Sequence, residues 1–422
     1  MSVFSMGPEG LNTEHVPLER IADTFGTPTW VYSRAAIEGA WDEFAAATRG
    51  RRALVCYAIK ANSNLAILQL LARRGAGFDI VSSGELARVL AAGGDPARVV
   101  FSGVGKSRAE MREALQAGVR CFNVESESEL IHLNEVAGAM GRVAPISLRV
   151  NPDVDAGTHP YISTGLRDNK FGIPHDAALN AYQQAARLPH LRIEGIDCHI
   201  GSQITELAPF LAALERVLEL VDQLAERGIV LHHLDLGGGL GIAYQDETPP
   251  ERGQMLGALF ERIDAWARAR GRDTPEVMFE FGRSVVGNAG VLLTRVEIIK
   301  RNGERRFAVV DAAMNDLMRP AMYEAFHDIV PVRPTDAPTE TYDVVGPVCE
   351  SGDWLGRGRE LAIREGDLLA IRSAGAYGMS MSSNYNSRPR GAEVLVDGEQ
   401  FYLVRARETV AELFAGERRL PG

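Results

Sequence analysis

The chain has 422 residues, of which 45% are hydrophobic, and its net charge is -11. That length exceeds one ordinary domain and leaves material for a large core. The acidic balance argues against nucleic acid or an anionic membrane surface as a partner, and no apolar run is long enough to span a bilayer.

The chain opens without a basic stretch leading into an apolar one, so no signal peptide is expected. Four cysteines, Cys56, Cys121, Cys198 and Cys349, form no Cys-x-x-Cys pair. Disulfides, zinc and other metal sites are therefore not expected, and a reducing cytoplasm fits best. Thr29–Tyr32 reads as a first strand, set apart from the later ones. Apolar, strand-like runs then begin near Ala53, Phe78, Val99, Arg120, Ile146, Ile193, Leu231 and Val277. Helix-like stretches such as Leu65–Arg74, Glu85–Ala92, Arg108–Ala117 and Ala208–Arg227 separate them. Strand–helix alternation of this length predicts a (β/α)8 barrel over residues 36–283, with a doubly wound open sheet as the alternative.

After Ser284 the texture changes. Val291–Arg301, Phe307–Asp311, Tyr342–Val348, Leu368–Ser373, Val394–Val396 and Phe401–Val404 read as strands, with hairpin turns at Asn302-Gly303 and Asp397-Gly398. Val330–Thr339 holds three prolines and reads as an exposed loop. Glu408–Gly416 reads as a helix. The expectation is a β-sandwich or β-barrel domain of residues 284–422, joined by residues 1–35.

Lys60 ends the first barrel run, in Tyr57-Ala-Ile-Lys60-Ala-Asn62. A lysine there is costly to bury unless its amine is used, and desolvation frees the lone pair for attack on a carbonyl. Barrel enzymes gather catalytic groups at the C-terminal strand ends, and the other ends here carry Asp79, Arg149, His199, Gly237–Gly239 and Glu280. Each has a plain alternative: Asp79 as a helix cap, Arg149 as a surface ion pair, His199 as a satisfied core histidine. Their convergence favours chemistry. The run Asp235-Leu-Gly-Gly-Gly-Leu-Gly241 can bring backbone N–H groups to a phosphate, with Ser202 and Gly282-Arg283-Ser284 as further donors. A carboxylate at Glu280 can keep a pyridine nitrogen protonated, and His199 can stack on the ring. An amine, a phosphate cradle, a ring-nitrogen partner and a stacking imidazole together specify pyridoxal 5′-phosphate. Downstream, Arg283 with Arg319 suggests an anionic substrate end. Glu350 suits an adjacent ammonium, and Tyr323 and Tyr377 can donate hydrogen bonds.

Taken together, these residues resemble the diaminopimelate decarboxylase family of fold-type III pyridoxal-phosphate enzymes over nearly the whole chain. The resemblance is carried by Tyr57–Asn62, Phe78–Glu85, His159–Gly165, Lys170–Gly172 and His199–Gln203. It is most specific in Met314–Tyr323, Gly346–Asp353 and Gly375–Asn386. It implies decarboxylation of meso-2,6-diaminopimelate to L-lysine and CO2, with Lys60 carrying the cofactor. It further implies His199 on the ring and Glu280 at the ring nitrogen. Asp79, Arg149, Ser202, Gly238, Gly239, Gly282, Arg283 and Tyr377 would lie around the cofactor. Arg283, Arg319, Tyr323, Glu350 and Tyr377 would hold the distal substrate end, and Cys349 would donate a proton. It also implies a homodimer whose sites take Cys349 and Glu350 from the partner subunit. The family pattern Glu-Pro-Gly-Arg reads Glu280-Phe281-Gly282-Arg283 here, which keeps open a relative acting on an ornithine-like, arginine-like or carrier-bound glutamyl substrate. A racemase, for which Glu280 is the wrong ring-nitrogen partner, and a non-enzymatic carrier are the other readings.

Overall fold

The computed structural model describes residues 3–157, 159, 164–165 and 169–422. Of the His159–Gly165 motif, residues 160–163 therefore lie outside the described residues. The chain divides into two compact units. One comprises Ala40–Ile242 and Thr248–Ser284. The other comprises Met1–Gly39, Ala243–Glu247 and Val285–Gly422.

The first unit is a closed parallel barrel. Its strands are β1 (Ala53–Ala58), β2 (Gly77–Ile80), β3 (Val99–Phe101), β4 (Cys121–Val124), β5 (Ala144–Asn151), β6 (Leu191–Asp197), β7 (His233–Asp235) and β8 (Glu276–Phe281). They pair in chain order, and β8 returns to β1 with Phe281 opposite Tyr57. The open-sheet alternative is thereby excluded. Helices connect the strands, and several start on side-chain caps. Ser107 and Glu110 form a reciprocal capping box at Arg108–Ala117, and Ser82 caps Ser83–Ala91. Such caps satisfy N–H groups that a helix start leaves orphaned.

Strand alternation sorts the barrel lining into layers. Leu54, Cys56, Val100, Cys121 and Met278 form a buried apolar cluster. Two residues further along their strands, the same faces carry Ala58, Ser102, Asn123 and Glu280. The lining therefore turns polar toward the C-terminal strand ends. Residues of the opposite parity pack outward: Phe279 lies edge-on to Phe260, with ring centroids 5.9 Å apart. The four cysteines carry free thiols, three of them buried. Burial pushes Cys56, Cys121 and Cys198 up, so these thiols stay protonated and inert.

The second unit is built on a nine-stranded sheet. Its long strand Gly290–Asn302 pairs at one end with Thr29–Ser33 and Leu368–Ile371, and at the other with Arg305–Val310. Thr29–Ser33 also pairs with Ala392–Asp397, so the early strand joins this sheet as expected. Helix Leu18–Phe25 packs Leu18, Ile21 and Ala22 into one core with Val31, Val291, Leu293, Val394 and Val396. The sequence reading needs correction in three places. Ile329–Pro331 is a strand paired with Leu368–Ile371, and Val332 beside it is 1% exposed, so Val330–Thr339 is not simply an exposed loop. Its proline is tolerated because the strand lies at an edge. Strands Phe4–Gly7, Gly10–Thr13 and Trp354–Ala362 went unread. Glu408–Gly416 shrinks to the single turn Val410–Leu413.

Candidate active site

Lys60 sits just past β1, in a single 3-10 turn Ile59–Ala61. The Tyr57 hydroxyl pins that turn by donating to the Asn62 carbonyl at 2.9 Å. The Lys60 side chain is 37% exposed, and its Nζ lies 2.5 Å from Oδ2 of fully buried Asp79. The lysine is therefore not desolvated as the sequence argument supposed. It is half-exposed and steered by a buried carboxylate one strand over.

His199 lies just past β6. Its Nδ1 accepts the Gly238 N–H at 3.1 Å, so the proton of the neutral ring sits on Nε2. Burial, with the positive charges of Arg149 and Lys60, holds the imidazole well below the ordinary histidine range. A flat, uncharged ring results.

The loops after β6 and β7 are zipped together. The Ile204 N–H donates to the Gly239 carbonyl and the Gly241 N–H to the Ile204 carbonyl, each at 2.9 Å. Gln203 clamps Ile242 through both N–H and carbonyl. This packing demands glycine. A Cβ on Gly238 would stand 1.9 Å from the Glu280 carbonyl oxygen. On Gly239, at φ +101°, it would stand 2.4 Å from the Gly201 carbonyl oxygen. Nearby, Arg283 Nη2 donates to Ser202 Oγ at 2.9 Å. The buried Ser284 hydroxyl finds no partner among the described residues.

Glu280 is 7% exposed. Its Oε1 accepts from Ser102 Oγ at 3.3 Å and from Asn123 Nδ2 at 3.2 Å. Asp197, Asp235 and Glu280 offer carboxylate oxygens within 4.8 Å of one another. Burial, reinforced by mutual repulsion, pushes Glu280 and Asp197 well above the usual carboxylate range and Asp235 up to about 6. Each thus competes for protons. Arg149 lies among them, 3.0 Å from Glu125 and 3.9 Å from Asp197.

This donor set fits pyridoxal phosphate. It offers an accessible amine on a carboxylate leash, a neutral imidazole, a buried carboxyl avid for a proton, and a loop cleared of side chains beside an arginine and an unsatisfied hydroxyl.

The second unit holds the remaining residues. Arg319 opens the short helix Arg319–Tyr323 and is buried, while Tyr323 is half-buried. Tyr377, also half-buried, adopts φ +55°, a conformation rare for a side chain of its size. Cys349 and Glu350 are exposed. Their loop is tied down at both ends. Asp353 accepts from the Met314 and Val348 N–H groups at 2.7 and 2.9 Å. Asn386 accepts the Cys349 N–H at 3.1 Å, and the Tyr385 hydroxyl donates to Glu350 at 3.1 Å.

A family model described as "Pyridoxal-dependent decarboxylase, pyridoxal binding domain" matches residues 34–287. A Pseudomonas aeruginosa protein named diaminopimelate decarboxylase is 62% identical over 421 residues, covering 100% of both chains. The chain belongs to the diaminopimelate decarboxylase family. Two solved family members, each complexed with L-lysine, share its fold. The M. jannaschii enzyme matches with TM-score 0.94 at 38% identity, covering 99% of this chain and 98% of that one. The Helicobacter pylori enzyme matches with TM-score 0.89 at 40% identity, covering 94% and 98%.

Sequence reasoning missed the supports behind the family's motifs. Ser102, Asn123, Asp197 and Asp235 surround Glu280. Their signal was positional: polar residues at inward parity in apolar strands. The departure from the family at Phe281 also becomes intelligible. Phe281 comes directly after Glu280 on β8 and so faces the other way, 1% exposed. It stacks on Phe44 at 4.1 Å and on Phe279 at 5.7 Å between ring centroids. The residue packs the outside of the barrel wall and does not enter the site. Phe281→Ala should therefore cost about 3–5 kcal/mol of stability, read from urea unfolding. The KM for the amino-acid substrate should stay unchanged, whereas an altered substrate preference would place Phe281 in the site.

Proposed function

We propose that this chain catalyses the pyridoxal-phosphate-dependent decarboxylation of meso-2,6-diaminopimelate to L-lysine and CO2, the last step of lysine biosynthesis, in the cytoplasm. Full-length 62% identity to a protein named for that activity carries the reading, and L-lysine in the M. jannaschii and H. pylori structures supports it.

Pyridoxal phosphate supplies, when bound, an electron sink for the pair left behind as the carboxylate departs. Lys60 would carry the cofactor through its amine, with Asp79 orienting that amine. The Ser202 and Arg283 side chains, with backbone at Gly238, Gly239 and Gly282, would take its phosphate. His199 offers the flat neutral face. Glu280, short of solvent and crowded by Asp235, would hold a proton toward the ring nitrogen. Arg149 offsets the negative charge around Glu125 and Asp197. At the far end of the substrate, Arg283, Arg319, Tyr323 and Tyr377 take the distal carboxylate, and Glu350 takes the ammonium. A shorter or one-ended amino acid would leave those groups unpaired, which is how such sites discriminate. The carbon that loses CO2 gains one proton, for which the Cys349 thiol is the donor.

Exposure of Cys349 and Glu350 on a loop tied at both ends fits service to a second subunit. The active unit is a homodimer in which each chain lends these two residues to its partner.

The activity is tested by CO2 release and product identity from the cofactor-loaded protein. Lysine should form from meso-diaminopimelate, with little or no release from ornithine, arginine, lysine or glutamate. Preferential release from one of those four would contradict the assignment.

Shared sites are tested by mixing two inactive variants, Lys60→Ala and Cys349→Ala. Random pairing should restore about one quarter of wild-type activity, because half the dimers regain one intact site of two. No recovery after exchange of subunits would show that each chain completes its own site.

A further inference from the structure

The guanidinium of Arg319 is 5% exposed, and two neutral groups of the second unit hold its Nη1. Its Nη1 donates to the Tyr244 hydroxyl at 2.7 Å and lies 3.0 Å from His327 Nε2. Arginine has donors only, so His327 Nε2 accepts and carries no proton. The other ring nitrogen, Nδ1, lies 2.9 Å from the Arg372 carbonyl oxygen. A carbonyl only accepts, so Nδ1 carries the proton. Both neighbours independently require the same neutral tautomer. The ring is fully buried, and Tyr244 meets it edge-on with centroids 5.2 Å apart. Arg319 Cζ in turn stands 4.7 Å from the centroid of the Tyr244 ring.

Both Nη1 protons are thus committed, and a planar guanidinium held at one nitrogen cannot swivel. The chemistry of the two holders also matters. A carboxylate in the place of His327 would orient Arg319 but compete with the substrate for its charge. A lysine would repel it. A neutral imidazole fixes the direction and brings no opposing charge of its own.

We infer that His327 is the positioning residue for Arg319, with Tyr244 as its second clamp, and that the pair sets how well the distal carboxylate of the substrate is selected. This rests on the reading of Arg319 under Proposed function. His327 touches no reacting atom and would act only through the guanidinium.

The test is steady-state kinetics of cofactor-loaded variants with meso-diaminopimelate. His327→Phe keeps the ring's size and loses both polar atoms. It should raise KM about 10- to 100-fold, the range that one hydrogen bond to a charged group represents, with kcat little changed and cofactor retention on dialysis intact. His327→Gln restores an acceptor and should recover most of the loss. Tyr244→Phe should give a smaller rise. Adding His327→Phe to Arg319→Ala should raise KM no further. A purely structural role would instead lower folded yield and apparent kcat while leaving KM alone. Unchanged KM in His327→Phe, with Arg319→Ala still raising it, overturns the positioning role by itself. Unchanged KM in both variants removes the Arg319 reading and this inference with it. Should His327→Phe fail to fold, Tyr244→Phe decides on the same readout, and an unchanged KM there overturns the proposal.

Discussion

The barrel unit depends on one costly arrangement: several carboxyl groups gathered inside a closed ring of strands. Asp79, Asp197, Asp235 and Glu280 are all at most 7% exposed. Burying charge is expensive unless it is paired or neutralised. Each carboxyl meets the cost differently. Asp79 takes the ammonium of Lys60. Asp197 lies beside Arg149. Asp235 accepts the Gly237 N–H at 3.0 Å. Glu280 draws on the neutral donors of Ser102 and Asn123, and is left with a strong affinity for a proton. That affinity makes it a fitting partner for a basic ring nitrogen, so the chemistry and the strain on the fold have the same source.

The second unit shows a different economy. Its functional side chains sit on short elements: a single helical turn at Arg319–Tyr323, a loop at Gly346–Asp353, and a residue at positive φ in Tyr377. Short elements hold a side chain poorly on their own. Two of them are fixed by side-chain hydrogen bonds: the loop by its own Asp353 with Asn386 and Tyr385, and the arginine by Tyr244 and His327. On the proposed function, specificity would rest on these clamps, because loop backbone alone would not keep a fork aligned with a carboxylate.

Much of this was legible from residues alone. Eight apolar runs alternate with helix-like stretches, and five of them end in polar residues of catalytic type: Lys60, Asp79, Arg149, His199 and Glu280. Lys60, His199 and Glu280 could be picked out since each is chemically odd where it stands. The supports could not. Asn123 and Asp235 look unremarkable until parity and closure turn them toward Glu280, and His327 lies in Phe-His-Asp, with no motif around it. The state of Lys60 was misjudged for a related reason. Sequence reveals the end of a strand, but the ion pair to Asp79 depends on β2 lying beside β1. The departure at Phe281 kept other substrates open because sequence adjacency to Glu280 hides the alternation that turns it away.

On the proposed mechanism, the buried Glu280 carboxyl would drive the chemistry through its hold on a proton, while Lys60 and the phosphate cradle would retain the cofactor. Glu280→Gln is nearly isosteric and removes that acid–base capacity. Its cofactor content after dialysis and its single-turnover rate of CO2 release from meso-diaminopimelate are the measurements to make. The account predicts full cofactor retention with release slowed about 100-fold or more, the scale of losing one preorganised electrostatic partner. A release rate close to wild type in a fully loaded Glu280→Gln protein would contradict it.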